Sequence, residues 1–353
     1  METTGELQPM TCPDGHEGWL ATGRNAVRAV LADNRFSIRP DLMHFPFADT
    51  GGETAPPSPP GAFGDADPPE HTRYRRALTG QFTVRRMRQL TERIEEITAE
   101  HLTAMEKQGT TADLVPAFAL PVPALMICEL LGVPYTERER FQADAIMVTG
   151  SMADFAETGA AFVRLQEYMG ELVTAKRVRP QDDLISGIVG EDFTDEELVN
   201  MSLMLLGGGL DTTTNVFATG LLELLRSPEL VAELRAKPEE VVEELLRRTT
   251  IIPTLVRSAL EDVEIDGQVI KAGDTVALSL ETANLDRSGN HIAFGHGIHQ
   301  CLGQQLARVV LGIGFPALFE WFPKLRLAVP EAELPVRPHA LVKGLLALPV
   351  RWD

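Results

Sequence analysis

The chain has 353 residues, of which 44% are apolar and 24% charged, and its formal net charge is −19 at pH 7. That length buries a substantial core in one large domain or two ordinary ones, and the acidic surplus excludes a nucleic-acid partner held by diffuse electrostatics. Three cysteines, Cys12, Cys128 and Cys301, are too few and too scattered for a disulfide framework, so a reducing compartment, the cytoplasm, is expected.

The opening stretch METTGELQPMTCPDGHEGWL has no basic region followed by an apolar run, so no secretory signal is expected. No apolar stretch reaches the ~18–20 residues that a membrane span needs. After GHEGWLATG, read as short strand-like pieces, the pattern turns helical around Ala26 to Ala32. Residues 40–69 are rich in proline and glycine and predict a long loop. Helical spacing then runs from His71 to about Lys107, recurs in DLVPAFALPVPALMICELLGVP, and predicts two amphipathic helices between Glu139 and Lys176. Thr194 followed by Glu197 spells a capping box, opening a helix that runs to about Ser227, roughly 45 Å long at the standard rise. A further helix is predicted over Pro238 to Arg248. EDVEIDGQVIKAGDTVALSLE, alternating apolar and polar around DG and AGD turns, is the one convincing β region. A last long helix follows Cys301, and HALVKGLLALPVRW predicts a strand pair. The fold class expected is mainly α with a minor β region, in a single domain over 1–353.

Chemistry concentrates in FGHGIHQCLG, where Cys301 lies among Gly295, Gly297 and Gly303 with His296 and His299 close by. The spacing HxxHxC is not a usual zinc set, and the Cys-x-x-Cys-His of a covalent haem attachment is absent. A cysteine nucleophile needs a base, which a neighbouring histidine supplies. Three glycines around a thiol instead suggest a bulky flat group lying against the backbone. A helix beginning just after Cys301 favours a thiolate, a soft metal ligand.

Phe294, Gly297, Cys301 and Gly303 match the pattern FxxGxxxCxG, and on these residues the chain resembles the cytochrome P-450 family of haem-thiolate monooxygenases. The resemblance implies the P-450 fold, a helix-rich prism enclosing haem b (iron protoporphyrin IX), with Cys301 as axial thiolate. It further implies that His71 and Arg75 of DPPEHTRYRRAL, together with Arg257 and His299, hold the haem propionates. Glu244 and Arg247 match the family's ExxR pair, an ion pair that braces the cysteine loop. The family's downstream meander, with a third partner for that brace, is missing or shortened in ANLDRSGNHIAFGHG, and the N-terminal region also looks short.

LLGGGLDTTTN sits mid-helix, where each glycine costs up to about 1 kcal/mol against alanine, so something must approach closely there. Gly208 to Thr212 resembles the family's [AG]Gx[DE]T motif, in a helix crossing the distal haem face and locally opened. It implies Asp211 and Thr212 as an acid–alcohol pair that relays protons during O2 activation. Thr213 and Thr214 are expected to bond back to earlier carbonyls. No GxGxxG follows a strand and no room exists for a flavin domain, so electrons come from NAD(P)H only indirectly, through a separate ferredoxin or flavodoxin and its reductase. Arg73, Arg75, Arg76, Arg85, Arg86 and Arg88 form either a solvated helix face or a docking patch for that acidic carrier. Substrate contacts implied by the resemblance are the 40–66 loop, Met147 to Phe155, the helix before Gly208, Ile252 to Leu255 and Ala340 to Leu345. They suit a mainly apolar small molecule, with the protein a monomer. Three other readings stay open: a haem-thiolate oxidase or peroxide-driven enzyme, a haem-binding sensor without turnover, and a zinc-binding structural protein.

Overall fold

The computed structural model describes residues 6–47, 51, 53–149, 155–337 and 341–353. It divides into two compact units, Met1–Arg76 with Ile252–Leu302, and Ala77–Ile251 with Gly303–Asp353.

The first unit is built on a five-stranded sheet in the order Leu7–Thr11, Glu17–Ala21, Thr275–Ser279, Thr254–Ala259, Phe36–Ser37. Its pairs are antiparallel except that Glu17–Ala21 runs parallel to Thr275–Ser279, with Gly18 opposite Thr275. Glycine is required at position 18, since a Cβ there would lie 2.4 Å from the Thr275 carbonyl oxygen. The predicted β region thus supplies one strand of this sheet, Thr275–Ser279, and a separate hairpin, Val263–Ile265 with Gln268–Ile270. The first strand, Leu7–Thr11, precedes the strand-like pieces expected from sequence; its Pro9 pairs with Trp19 on the sheet's edge strand, where such a residue is tolerated. The helix Arg24–Ala32 lays Val27, Val30 and Leu31 onto Phe36, Val276, Leu278 and Ile292. Asn284, buried, accepts the Ile292 N–H at 2.8 Å and so fixes the chain leading into the cysteine loop.

The second unit is mostly helical: Val84–Gln108, Pro121–Leu131, Arg138–Thr149, Phe155–Val178, Asp195–Arg226, Pro228–Ala236, Pro238–Thr249 and Gln304–Trp321 are its longer helices. At its centre Phe217 stacks against Phe118 and Phe315, with ring centroids 5.2 and 5.0 Å apart. Gly220 and Gly314 make room for these rings, since a Cβ at either would lie 2.6 or 2.2 Å from a ring carbon. The capping box is present: the Thr194 hydroxyl accepts from the Glu197 N–H at 3.1 Å, and the Glu197 carboxylate accepts from the Thr194 N–H at 2.8 Å.

The helical spacing over 71–107 is two helices, Glu70–Thr79 and Val84–Gln108. The break falls at Thr83, whose hydroxyl accepts the Arg86 N–H and starts a new helix, a local signal that apolar periodicity runs across. Only Pro349–Arg351 of the predicted C-terminal pair is a strand, and it joins Thr111–Asp113 and Arg326–Leu327 instead; Val336 and Leu345 form one isolated antiparallel bridge. Among the described residues no helix is long and apolar enough to cross a membrane.

Candidate functional site

The cysteine loop lies in the first unit and is closed by its own backbone. The Cys301 N–H donates to the Phe294 carbonyl at 2.9 Å, the Gln300 N–H to Gly297 at 3.1 Å, and the Gly295 N–H to Ile292 at 2.8 Å. Gly297 has φ +75° and packs against the end of the helix Arg24–Ala32, where a Cβ would lie 2.1 Å from the Leu31 carbonyl oxygen. Both its torsion and its surroundings therefore demand glycine. Cys301 is half-buried, whereas Cys12 and Cys128 are fully buried, and burial pushes the Cys128 thiol up to about 12. Inert core cysteines of that kind are distinct from one presented at the close of a glycine-lined turn.

Around this loop the same unit gathers cations. His71 and Arg257 are each 3% exposed. The His71 and His299 rings lie with centroids 4.1 Å apart, and an Arg75 guanidinium N–H donates to the Gln300 carbonyl. Burial drives Arg257 down to about 10, opposed by Asp67. His299 is driven down to about 3, first by burial and then by His71, Arg257 and Arg75. Burial also lowers Arg75, with Cys301 opposing, and lowers His71, where Arg75 adds to the effect. The closest acidic group, Asp67, is engaged by the Ser37 hydroxyl at 2.5 Å and the Ile38 N–H at 3.1 Å. Among the described residues no carboxylate forms an ion pair with any of the four. Two arginines and two histidines brought together without a carboxylate partner make a donor-rich site, the arrangement expected where an anionic ligand completes it. These residues fit haem: Cys301 supplies a soft ligand for iron, and Arg75, Arg257, His71 and His299 suit its propionates.

The second unit carries the acid and the alcohol on the helix Asp195–Arg226, which is continuous through the motif and not interrupted there. The Thr212 hydroxyl donates to the Gly208 carbonyl at 2.5 Å, so the backward bond foreseen for Thr213 and Thr214 belongs to Thr212. Thr214 is 7% exposed and its hydroxyl has no partner. A Cβ at Gly208 would meet nothing within 4 Å, while one at Gly209 would lie 2.2 Å from Ile127 Cδ1. Packing within the protein thus explains Gly209 but not Gly208. Asp211 is held by Arg337, whose Nη1 donates to Oδ1 at 2.7 Å, and by Asn215, whose Nδ2 donates to the same oxygen at 3.0 Å. Burial raises the Asp211 carboxyl above the usual range, opposed by Arg337 and Asn215. Neither partner was anticipated from sequence. Asn215, one helical turn on, was readable from i, i+4 spacing; Arg337, 126 residues away, had no local signal.

Glu244 and Arg247 approach to 3.9 Å, while the shorter contact from Glu244, 2.7 Å, goes to Arg248. A tighter link on the same helix joins Glu243 to Arg308 through contacts of 2.5 and 3.0 Å, fastening Pro238–Thr249 to Gln304–Trp321, the helix that Gly303 caps. Of the clustered arginines, Arg75 faces the cysteine loop, and Arg85 and Arg86 reach Asp182 at 2.9 and 3.4 Å. Arg76 and Arg88 are exposed. Among the expected substrate positions, residues 48–50, 52, 150–154 and Ala340 lie outside the described residues.

The Cytochrome P-450 family model matches residues 171–242 and 238–289. The cytochrome P-450 105C1 of a Streptomyces species is 46% identical over 361 residues, covering 96% of this chain and 90% of the relative. Pentalenic acid synthase of Streptomyces avermitilis is 39% identical, covering 98% of this chain and 91% of that protein. The crystal structure of a CYP105P1 mutant superposes with a TM-score of 0.92 at 39% identity, covering 99% of this chain and 94% of that one.

Proposed function

Because the chain belongs to the cytochrome P-450 family of haem-thiolate monooxygenases, we propose that it oxidises a mainly apolar small molecule of secondary metabolism, with electrons from a separate ferredoxin. The observation that carries this reading is the pair of arginines, Arg75 and Arg257, set with His71 and His299 and without a carboxylate partner around the backbone-closed Cys301 loop. Neither a zinc-binding structural protein nor a cysteine hydrolase has use for buried arginines without a counter-ion. Bound haem would supply O2 activation; Cys301 would hold its iron as thiolate, and Arg75, Arg257, His71 and His299 would orient the group through its carboxylates.

Protons for that activation come through the long helix. Burial raises the Asp211 carboxyl, against Arg337 and Asn215, which makes it a better proton donor than a free carboxylate. Thr212 donates to Gly208, leaving its oxygen free to accept a proton donor such as water. An acid–alcohol pair of this kind favours O2 over a peroxide-driven route, and a sensor without turnover has no need of one. Pentalenic acid synthase, at 39% identity, supports an apolar product of secondary metabolism as the class to screen.

With ferredoxin, reductase and a turned-over substrate, Thr212→Ala is expected to consume NAD(P)H at near-normal rate while releasing most electrons as hydrogen peroxide. Asp211→Asn is expected to lower product formation on the order of 100-fold. Peroxide yield equal to wild type in Thr212→Ala would remove the assigned role. Electron delivery gives a second test. Arg76 and Arg88 are the exposed cations left for an acidic carrier, so turnover is expected to fall with ionic strength. Arg76→Glu and Arg88→Glu are expected to raise KM for ferredoxin with kcat little changed, and salt-independent turnover would count against this docking.

A further inference from the structure

We infer that Arg337 is the positioning residue for Asp211, and that the short antiparallel segments Pro335–Arg337 and Gly344–Leu346 belong to the proton-handling apparatus of the long helix. This rests on the proposed relay role of Asp211 and adds to it the group that controls that carboxyl.

Three observations in the second unit carry the inference. Arg337 is nearly buried, with a side chain 9% exposed, and spends Nη1 on Asp211 Oδ1 at 2.7 Å. A long, flexible cation is costly to bury, and this one is placed against a half-buried acid at helix midpoint rather than at the surface. The backbone that presents Arg337 is itself fixed. Its N–H donates to the Gly344 carbonyl at 3.0 Å, the Leu346 N–H donates to Pro335 at 2.8 Å, and the Lys343 N–H donates to Ile251 at 2.7 Å. Gly344 finally lies so close to the second partner of Asp211 that a Cβ there would fall 1.7 Å from Asn215 Oδ1 and 3.1 Å from Arg337 Cδ. One glycine thus lets both donors converge on one carboxylate oxygen. The groups found acting on Asp211 are Arg337 and Asn215, both favouring the charged form against burial.

An acid gripped by an arginine and an amide on the same oxygen is drawn toward its charged form, against the burial that raises it, and pointed in one direction. Its second oxygen is the one left to exchange a proton. Arg337 therefore sets both the protonation state in which Asp211 rests and the oxygen through which it works, without touching substrate or cofactor itself.

The test is the infrared carboxyl titration of Asp211 in the purified holoprotein, read as a difference against Asp211→Asn. Removing the cation in Arg337→Met is expected to move this titration to higher pH, because burial then acts with less opposition. Arg337→Lys, keeping the charge, is expected to restore most of the wild-type curve. Gly344→Ala, which keeps the charge but displaces Asn215, is expected to shift it less and in the same direction. An unchanged titration in a folded Arg337→Met or, should that variant not fold, in Gly344→Ala would overturn the inference. A shifted titration together with unimpaired turnover in Asp211→Asn would uphold the grip of Arg337 and remove the relay instead.

Discussion

Replacing Cys301 with alanine is expected to abolish the strongly red-shifted Soret band of the reduced, carbon monoxide-bound protein, and with it all oxygenation. The fold should survive the change. The loop is closed by the Cys301 N–H on the Phe294 carbonyl and by Gln300 on Gly297, bonds that alanine keeps. The cations are likewise untouched, since Arg75 is tied to the Gln300 carbonyl and not to a side chain that the substitution removes. Haem content is therefore expected to fall without a matching fall in the far-UV circular dichroism. A red-shifted band that persists in Cys301→Ala would mean that a different atom ligates the iron.

Gly297→Ala is expected to lose haem for a different reason, because the loop itself no longer forms. Left-handed torsion costs a non-glycine residue about 1–2 kcal/mol. Here the added carbon would also stand 2.1 Å from the Leu31 carbonyl oxygen, a backbone atom that cannot swing away as a side chain does. Either the helix Arg24–Ala32 shifts or the loop opens, and both displace the sulfur. Gly303, the other motif glycine tested by the same substitution, has φ −83° and open space where a Cβ would go. Gly303→Ala is expected to retain haem and thermal midpoint, so that the two variants separate backbone demand from motif membership. Equal tolerance at both positions would contradict this account of the loop.

The same physical distinction explains what sequence made legible. Gly297 could be read because an alternative residue is barred by local torsion, and such a bar leaves a mark in one short string. Thr194 and Glu197 were readable for a similar reason, as both halves of a capping box lie within one turn. The boundary at Thr83 was overlooked because a hydroxyl cap is weak evidence beside apolar spacing that continues past it. Arg337 was illegible: its meaning comes from a contact with Asp211 that only tertiary folding creates. So was the strand Leu7–Thr11, whose place at the sheet's edge depends on Glu17–Ala21 pairing with Thr275–Ser279 far along the chain. Motifs thus mark the candidate ligand and the candidate acid, whereas the groups packed against them are set by tertiary folding.

The proline-rich segment ahead of the helix Glu70–Thr79 is anchored unevenly over residues 53–65. Gly61 donates its N–H to the buried Tyr74 hydroxyl at 3.1 Å, Ala62 and Phe63 are buried, and Ser58 reaches Asp65, while residues 53–57 stand in solvent. A change of selectivity sought by random exchange along this stretch would meet unequal tolerance: freedom before Ser58, and beyond it a tether whose loss loosens the helix carrying His71 and Arg75.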